Sequence, residues 1–268
     1  MIFKKIQLDP DNKEVYLEAY ICDKITSLTR DAILVIPGGG YGEICCEREG
    51  EPIAHSFIPY GYNAFILHYS VKNDGKVFPA QLIQASLAVK HIKDNAEEYG
   101  INPDRIFACG FSAGGHLCAT LGTMWHNKAI YDAVDMPYGY NKPAGVMLIY
   151  PVISSEYHTF SFQSLLGKEE FTKAEGDLVS VDKHVDDKSS PAFILHTSTD
   201  KAVDVRNSLA IAKAYADKGL QFELHIYPDA PHGVALANKI TKCDNPKYDN
   251  ASIAKWVENA VFWANSIE

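Results

Sequence analysis

The chain predicts an α/β fold: a mostly parallel central sheet with helices on both of its faces. Three observations lead there. Apolar runs of strand length alternate with helix-period segments along the chain. Several of these runs, "AILVIP", "AGVMLIYP" and "PAFILHT", are apolar almost without interruption, as strands buried on both faces are. Finally, 268 residues that are 47% hydrophobic suffice for one large core of this kind.

Element by element, Glu14 to Tyr20 alternates Val15-Leu17-Ala19 against Tyr16-Glu18-Tyr20 and reads as a strand. Ala32 to Pro37 is the first two-sided strand. Glu51 to Pro59 reads as a short helix, and Asn63 to Ser70 as the next strand. From about Pro79 to Tyr99 apolar residues pair at four-residue spacing (Ile83 with Leu87, Ala85 with Val89, Ala88 with Ile92), which predicts a long helix closed by Gly100. "RIFACG" is a strand and Ala113 to Met124 a helix. Ala144 to Pro151 and Pro191 to Thr197 are two more buried strands. Between them Val152 to Ser190 is polar and irregular, long enough to form a cap or loop over a site. Val205 to Lys218 is helical and stopped by Gly219, "QFELHIYP" is a strand, and Ser252 to Asn265 is a closing amphipathic helix carrying Trp256, Ala260 and Trp263. Crossovers in such a sheet are right-handed. With no internal repeat, low-complexity tract or linker-like shift, residues 1–268 are expected to form one domain.

A formal net charge of −9 disfavours phosphate backbones and anionic membranes, so neither nucleic acid nor membrane is expected as a partner. "MIFKKIQLDP" meets Asp9 and Pro10 before any export-type apolar core develops. The six cysteines show no C-x-x-C pair or regular framework, which fits reduced thiols. The expectation is a cytoplasmic protein that takes a small-molecule substrate; homo-oligomerisation is compatible with the sequence.

Chemistry concentrates in "ACGFSAGGHLC". "GFSAG" (Gly110 to Gly114) fits G-x-S-x-G between a strand and a helix. Such a turn holds Ser112 in a strained conformation above the carboxyl edge of the sheet, at the positive end of the following helix. A serine in that place also serves as a helix cap; the surroundings favour the nucleophile. Upstream, "PGGGYG" (Pro37 to Gly42) follows the first buried strand. Its glycines suit a loop whose amides turn inward onto an oxyanion. The Lys and spacing of a phosphate-cradling loop are absent, and the dinucleotide fingerprint is a poor match. The backbone N–H of Ala113 is the candidate other half of that oxyanion hole.

A serine nucleophile needs a base and an orienting acid, which in this chain order follow it as acid, then histidine. Asp200 comes just beyond the "PAFILHT" strand and is the preferred acid. Asp204 is its rival, in a place that suits helix capping. His232, in the Pro-rich "YPDAPHGV" loop, is the candidate base. His196 and His225 lie in strand patterns and His116 one turn past Ser112, so all three are assigned structural roles. No His/Cys/Asp set has metal-ligand spacing, and neither metal nor cofactor is implied.

These residues together resemble the α/β-hydrolases, and more narrowly the esterase and lipase-like carbohydrate esterases known as acetylesterases or acetyl xylan esterases. The likeness runs from "ILVIPGGGYGEICCEREGEP" through "GFSAGGHLCA" and "YPVIS" to "SSPAFILHTSTDKAVDV" and "YPDAPHGVALA", and "EREGEP" is more specific than the elbow itself. The resemblance implies Ser112 as nucleophile, Asp200 as acid, His232 as base, and the amides of Gly39, Gly40 and Ala113 as oxyanion hole. Pro37 departs from the histidine of the lipase-like branch, and Asp204 stands where relatives often carry proline. The implied activity is hydrolysis of short acyl esters, with acetylated saccharides as substrate, through an acyl-enzyme. An amidase, formamidase or small peptidase using the same triad is the nearest alternative; a hydrolase-fold binding protein without catalysis is the alternative of another class. Tyr41 beside the glycine loop is the candidate substrate contact, with Tyr138, Tyr140, Tyr157, Phe160 and Phe162 as further entrance aromatics.

Overall fold

The computed structural model describes residues 1–25 and 28–267. Among these, eight strands form one sheet: β1 (Ile2–Gln7), β2 (Tyr16–Ile21), β3 (Arg30–Ile36), β4 (Tyr62–His68), β5 (Ile101–Phe111), β6 (Gly145–Ile149), β7 (Ala192–Thr197) and β8 (Phe222–Tyr227). Their order is β1-β2-β4-β3-β5-β6-β7-β8. β2 pairs antiparallel with both β1 and β4, and every other pairing is parallel.

The uninterrupted apolar runs have a plain cause. Ala32, Leu34 and Ile36 of β3 enter one core, together with Val146 and Leu148 of β6 and Ala192 and Ile194 of β7. The alternate residues Ile33, Val35, Met147, Ile149, Phe193 and Leu195 enter the other. A strand's side chains alternate between faces, so a sheet covered on both sides needs apolar residues at every position. Helices Ala80–Asp94, Ser112–Met124 and Arg206–Asp217 contribute to the first core. Helices Glu51–Phe57 and Trp256–Asn265 contribute to the second.

Some elements depart from the sequence reading. β1 was not foreseen: it is an edge strand, with Phe3 57% exposed, and so carries no buried-face pattern. The long helix expected to Tyr99 breaks at Asn95 into Ala80–Asp94 and Ala96–Tyr99. The polar segment 152–190 holds two short helices, Phe160–Leu166 and Lys173–Val179, the second capped by Thr172 and Glu175. Among the described residues no helix is long and apolar enough to cross a membrane.

The parallel strands β3, β5, β6, β7 and β8 all present their carboxyl ends at one edge. The glycine loop follows β3, Ser112 follows β5, Tyr150 follows β6, Asp200 follows β7 and His232 follows β8. Ligands of open α/β sheets bind outside that edge.

Candidate active site

β5 ends at Phe111 and the next helix begins at Ser112 with no intervening loop, so the chain reverses within one residue. Ser112 accordingly has φ +52°, a left-handed conformation that costs a non-glycine residue about 1–3 kcal/mol. The glycines around it are required by contact. A Cβ on Gly114 would lie 2.2 Å from the carbonyl oxygens of Ile36 and Pro37, and one on Gly110 2.3 Å from the Gly114 oxygen. Small residues here let the helix close onto β3 and β5, which raises the serine above the sheet.

Three groups far apart in the chain meet at that point. Ser112 Oγ is 2.8 Å from His232 Nε2, and His232 Nδ1 is 2.6 Å from Asp200 Oδ2. An ionised carboxylate only accepts, so Nδ1 carries the imidazole proton and Nε2 is left to accept from the serine hydroxyl. Burial pushes the Asp200 carboxyl upward, but hydrogen bonds from His196, His232 and the Val203 amide outweigh it and hold it well below the usual range. Its Oδ1 also accepts the amides of Ala202 and Val203, each at 2.9 Å. Asp204 turns away: it pairs with Arg206 and is 38% exposed, while the Asp200 side chain is 1% exposed.

His196 is hydrogen-bonded structure that reaches the candidate acid. It is fully buried, Nδ1 accepts from Ser208 Oγ at 2.7 Å, and Nε2 lies 2.9 Å from the Val203 carbonyl and 3.3 Å from Asp200 Oδ2. His225 pairs with Glu223 on β8, away from these groups. His116 is buried, donating from Nε2 to the Val179 carbonyl and accepting the Tyr41 hydroxyl at Nδ1, both at 2.7 Å.

The loop after β3 turns through Gly39 (φ +128°) and Gly40 (φ +64°). The Gly39 carbonyl accepts the amides of Gly42 and Glu43, fixing the turn. Among the described residues the amides of Gly39, Gly40 and Ala113 find no acceptor. Tyr41 requires a correction. It is 1% exposed and bonded to His116, so it packs beneath the loop and does not line the cavity. Of the other aromatics only Phe160 lines it; Phe162 is buried against His116, and Tyr138, Tyr140 and Tyr157 make contacts elsewhere.

A cavity of about 210 Å³ holds Ser112 and His232, with Gly39, Gly40, Arg48, Glu49, His158, Phe160 and Val203 around them. A wider hollow of about 510 Å³ meets it at Ala202 and His232 and is edged by Thr199, Lys201, Asp229, Lys247 and Tyr248. Burial, and then the neighbouring His232, lower the His158 pKa and favour its neutral form. Arg48, Glu49 and His158 were not singled out from the sequence. "EREGEP" contained the signal for the first two; His158 sits in the irregular segment 152–190, whose pattern marks no position.

A serine, an aspartate and a histidine, in contact with one another, succeed one another along the chain, each from the carboxyl end of a different parallel strand. That order on such a sheet is the arrangement of the α/β hydrolases, and this chain is of that class. Solved structures agree. An acetyl ester-xyloside bifunctional hydrolase from Caldicellulosiruptor lactoaceticus superposes with a TM-score of 0.83 at 33% identity, over 98% of this chain and 96% of that one. The carboxylesterase Cest-2923 from Lactobacillus plantarum WCFS1 does so with a TM-score of 0.86 at 25% identity, over 99% and 97%. In sequence the chain is 36% identical to endo-1,4-beta-xylanase B of Butyrivibrio fibrisolvens, over 78% of its length and 33% of the xylanase. It is 29% identical to an acetylxylan esterase of Xylanibacter ruminicola, over 75% of its length and 40% of the esterase. It thus spans a third to two-fifths of these two longer relatives. The chain belongs to the BD-FAE family, whose profile matches residues 17–215.

Proposed function

We propose that this chain is a serine carboxylic-ester hydrolase of short acyl esters that deacetylates acetylated sugars or oligosaccharides. The observation that carries the reading is the continuous relay Ser112–His232–Asp200, at 2.8 and 2.6 Å, opening into a small cavity lined by Gly39 and Gly40. In this reading Ser112 attacks the ester carbonyl as His232 Nε2 accepts its proton. Asp200 keeps the imidazole in the productive tautomer and stabilises its cation. The amides of Gly39, Gly40 and Ala113 receive the oxyanion. His232 then protonates the departing alcohol, and afterwards activates the water that releases the acid from Ser112.

The substrate class has two supports. The cavity around Ser112 suits a short acyl group, whereas the adjoining hollow, edged by Thr199, Lys201, Asp229 and Lys247, suits a hydroxyl-rich alcohol. Relatives carry names that specify acetylxylan and acetyl ester-xyloside substrates. The segment 152–190 serves, in the same proposal, as the wall that supplies His158 and Phe160. Action inside the cell belongs to it too; the six cysteines, with no C-x-x-C pair or regular framework, support that.

Acetate release from acetylated xylooligosaccharides, beside hexanoyl-ester and formamide panels, tests the reading. Turnover is expected on acetyl esters and to vanish in a folded Ser112→Ala, along with fluorophosphonate labelling. Preference for formamides or long acyl chains would overturn the substrate assignment. Equal labelling of Ser112→Ala and wild type would overturn the nucleophile.

A further inference from the structure

Behind the glycine loop lies a buried carboxylate that the acyl-transfer steps leave unused. Glu49 ends the short helix Cys46–Glu49 within "EREGEP" and is 2% exposed. Both of its oxygens are occupied, by donors from distant parts of the chain. Oε2 accepts the Gly38 amide at 2.9 Å, and Oε1 accepts the Tyr150 hydroxyl at 2.8 Å. The Tyr150 oxygen in turn accepts the Ala235 amide at 3.1 Å. Its ring stands edge-on to the imidazole of His232, with centroids 4.9 Å apart.

We propose that Glu49 is a positioning residue: it fastens the amide loop on one side of the cavity to the His232 loop on the other, through Tyr150. The inference rests on the hydrolase reading above. Two hydrogen-bond donors converge on this side chain, so it must offer two acceptors. A carboxylate does; an amide of the same shape has one acceptor and one NH₂, which leaves Gly38 or Tyr150 facing a donor. Burial, and then the charge of Glu49, raise the Tyr150 hydroxyl far above its usual pKa, so it remains a donor. Contact with the loop is direct, since a Cβ on Gly38 would lie 2.8 Å from Glu49 Oε2. Tyr150 (φ +39°) and Ala235 (φ +49°) both hold left-handed backbone, which persists only where neighbours constrain it. The Glu49–Tyr150–Ala235 chain of hydrogen bonds constrains both.

The test is steady-state hydrolysis of 4-nitrophenyl acetate by Glu49→Gln and Tyr150→Phe, with active-site titration and melting curves. Loss of a single oxyanion donor costs about 10²–10³ in kcat, and misplacing the loop is expected to cost less. Glu49→Gln should lower kcat about 10- to 100-fold with KM within about threefold, the mark of an interaction made in the transition state. Tyr150→Phe, which keeps the Gly38 bond, should lose about 5- to 10-fold in kcat, and less when Glu49 is already Gln, because the two act through one chain. A folded Glu49→Gln with wild-type kcat, or a loss confined to melting temperature, would overturn the proposal. If Glu49→Gln does not fold, an unchanged kcat in Tyr150→Phe overturns it instead. An inactive wild type would defeat the hydrolase reading and this inference with it, whereas an active wild type with unimpaired variants defeats this inference alone.

Discussion

Replacing Asp200 by Asn alters one atom of the relay and almost none of its shape. Oδ1 is engaged by the amides of Ala202 and Val203, so the new side-chain oxygen is drawn to that position. The NH₂ then occupies the place of Oδ2, 2.6 Å from His232 Nδ1. A donor there forces Nδ1 to accept, which moves the imidazole proton to Nε2, opposite Ser112 Oγ. In the proposed mechanism His232 is then in the wrong tautomer and cannot take the serine proton. In the general serine-hydrolase template this change lowers kcat by about 10⁴, or about 5 kcal/mol in the barrier. Asp204→Asn is the control, since Asp204 is 38% exposed and engaged with Arg206; its loss should stay within about twofold, as an exposed pair contributes little. The assay is kcat/KM on 4-nitrophenyl acetate, normalised to titratable serine. Equal losses in the two variants, or less than about a tenfold loss in Asp200→Asn, would refute the tautomer argument.

Two further outcomes concern stability. Burial pushes the His116 pKa down from 6.5 to about 4, so the folded protein keeps it neutral while the unfolded chain protonates it. The unfolded state therefore binds the extra proton between these values, and stability must rise with pH across that window. His116→Gln retains an acceptor for Tyr41 and a donor for Val179 and should flatten the slope, by about 3 kcal/mol at most over the window; urea melts from pH 4.5 to 7.5 with identical slopes would contradict this. Gly114→Ala drives a methyl into the Ile36 and Pro37 carbonyls, backbone atoms that cannot rotate aside. Its unfolding free energy should fall by at least about 3 kcal/mol, beyond ordinary overpacking; a loss under about 1 kcal/mol would show that helix and strand move apart without cost.

Much of the frame was legible because its causes are local or periodic. An all-apolar run of strand length has one good home, a strand covered on both faces, and β3, β6 and β7 occupy it. "GFSAG" between a strand and a helix predicts a one-residue reversal, because glycines on both sides are useful only where backbones crowd. β1 was illegible because an edge strand with an exposed face needs no pattern.

The rest depended on which distant groups meet. Asp200 and Asp204 both follow β7, and position favours Asp200 because Asp204's place suits a helix cap; the chain path after the strand is what brings one carboxylate to His232 and turns the other to Arg206. Tyr41 looked like an entrance residue because it adjoins the glycines, but its left-handed backbone (φ +58°) and the Nδ1 of His116 draw it inward. "EREGEP" marks the neighbourhood of Glu49 but not its role, which arises because two donors, one of them 101 residues away, arrive at its oxygens. Side-chain polarity and period determined the strands, the elbow and the order of the candidate triad. Which oxygen faces which nitrogen was decided only in three dimensions, since a hydrogen bond depends on tenths of an ångström between segments whose spacing along the chain carries no such information.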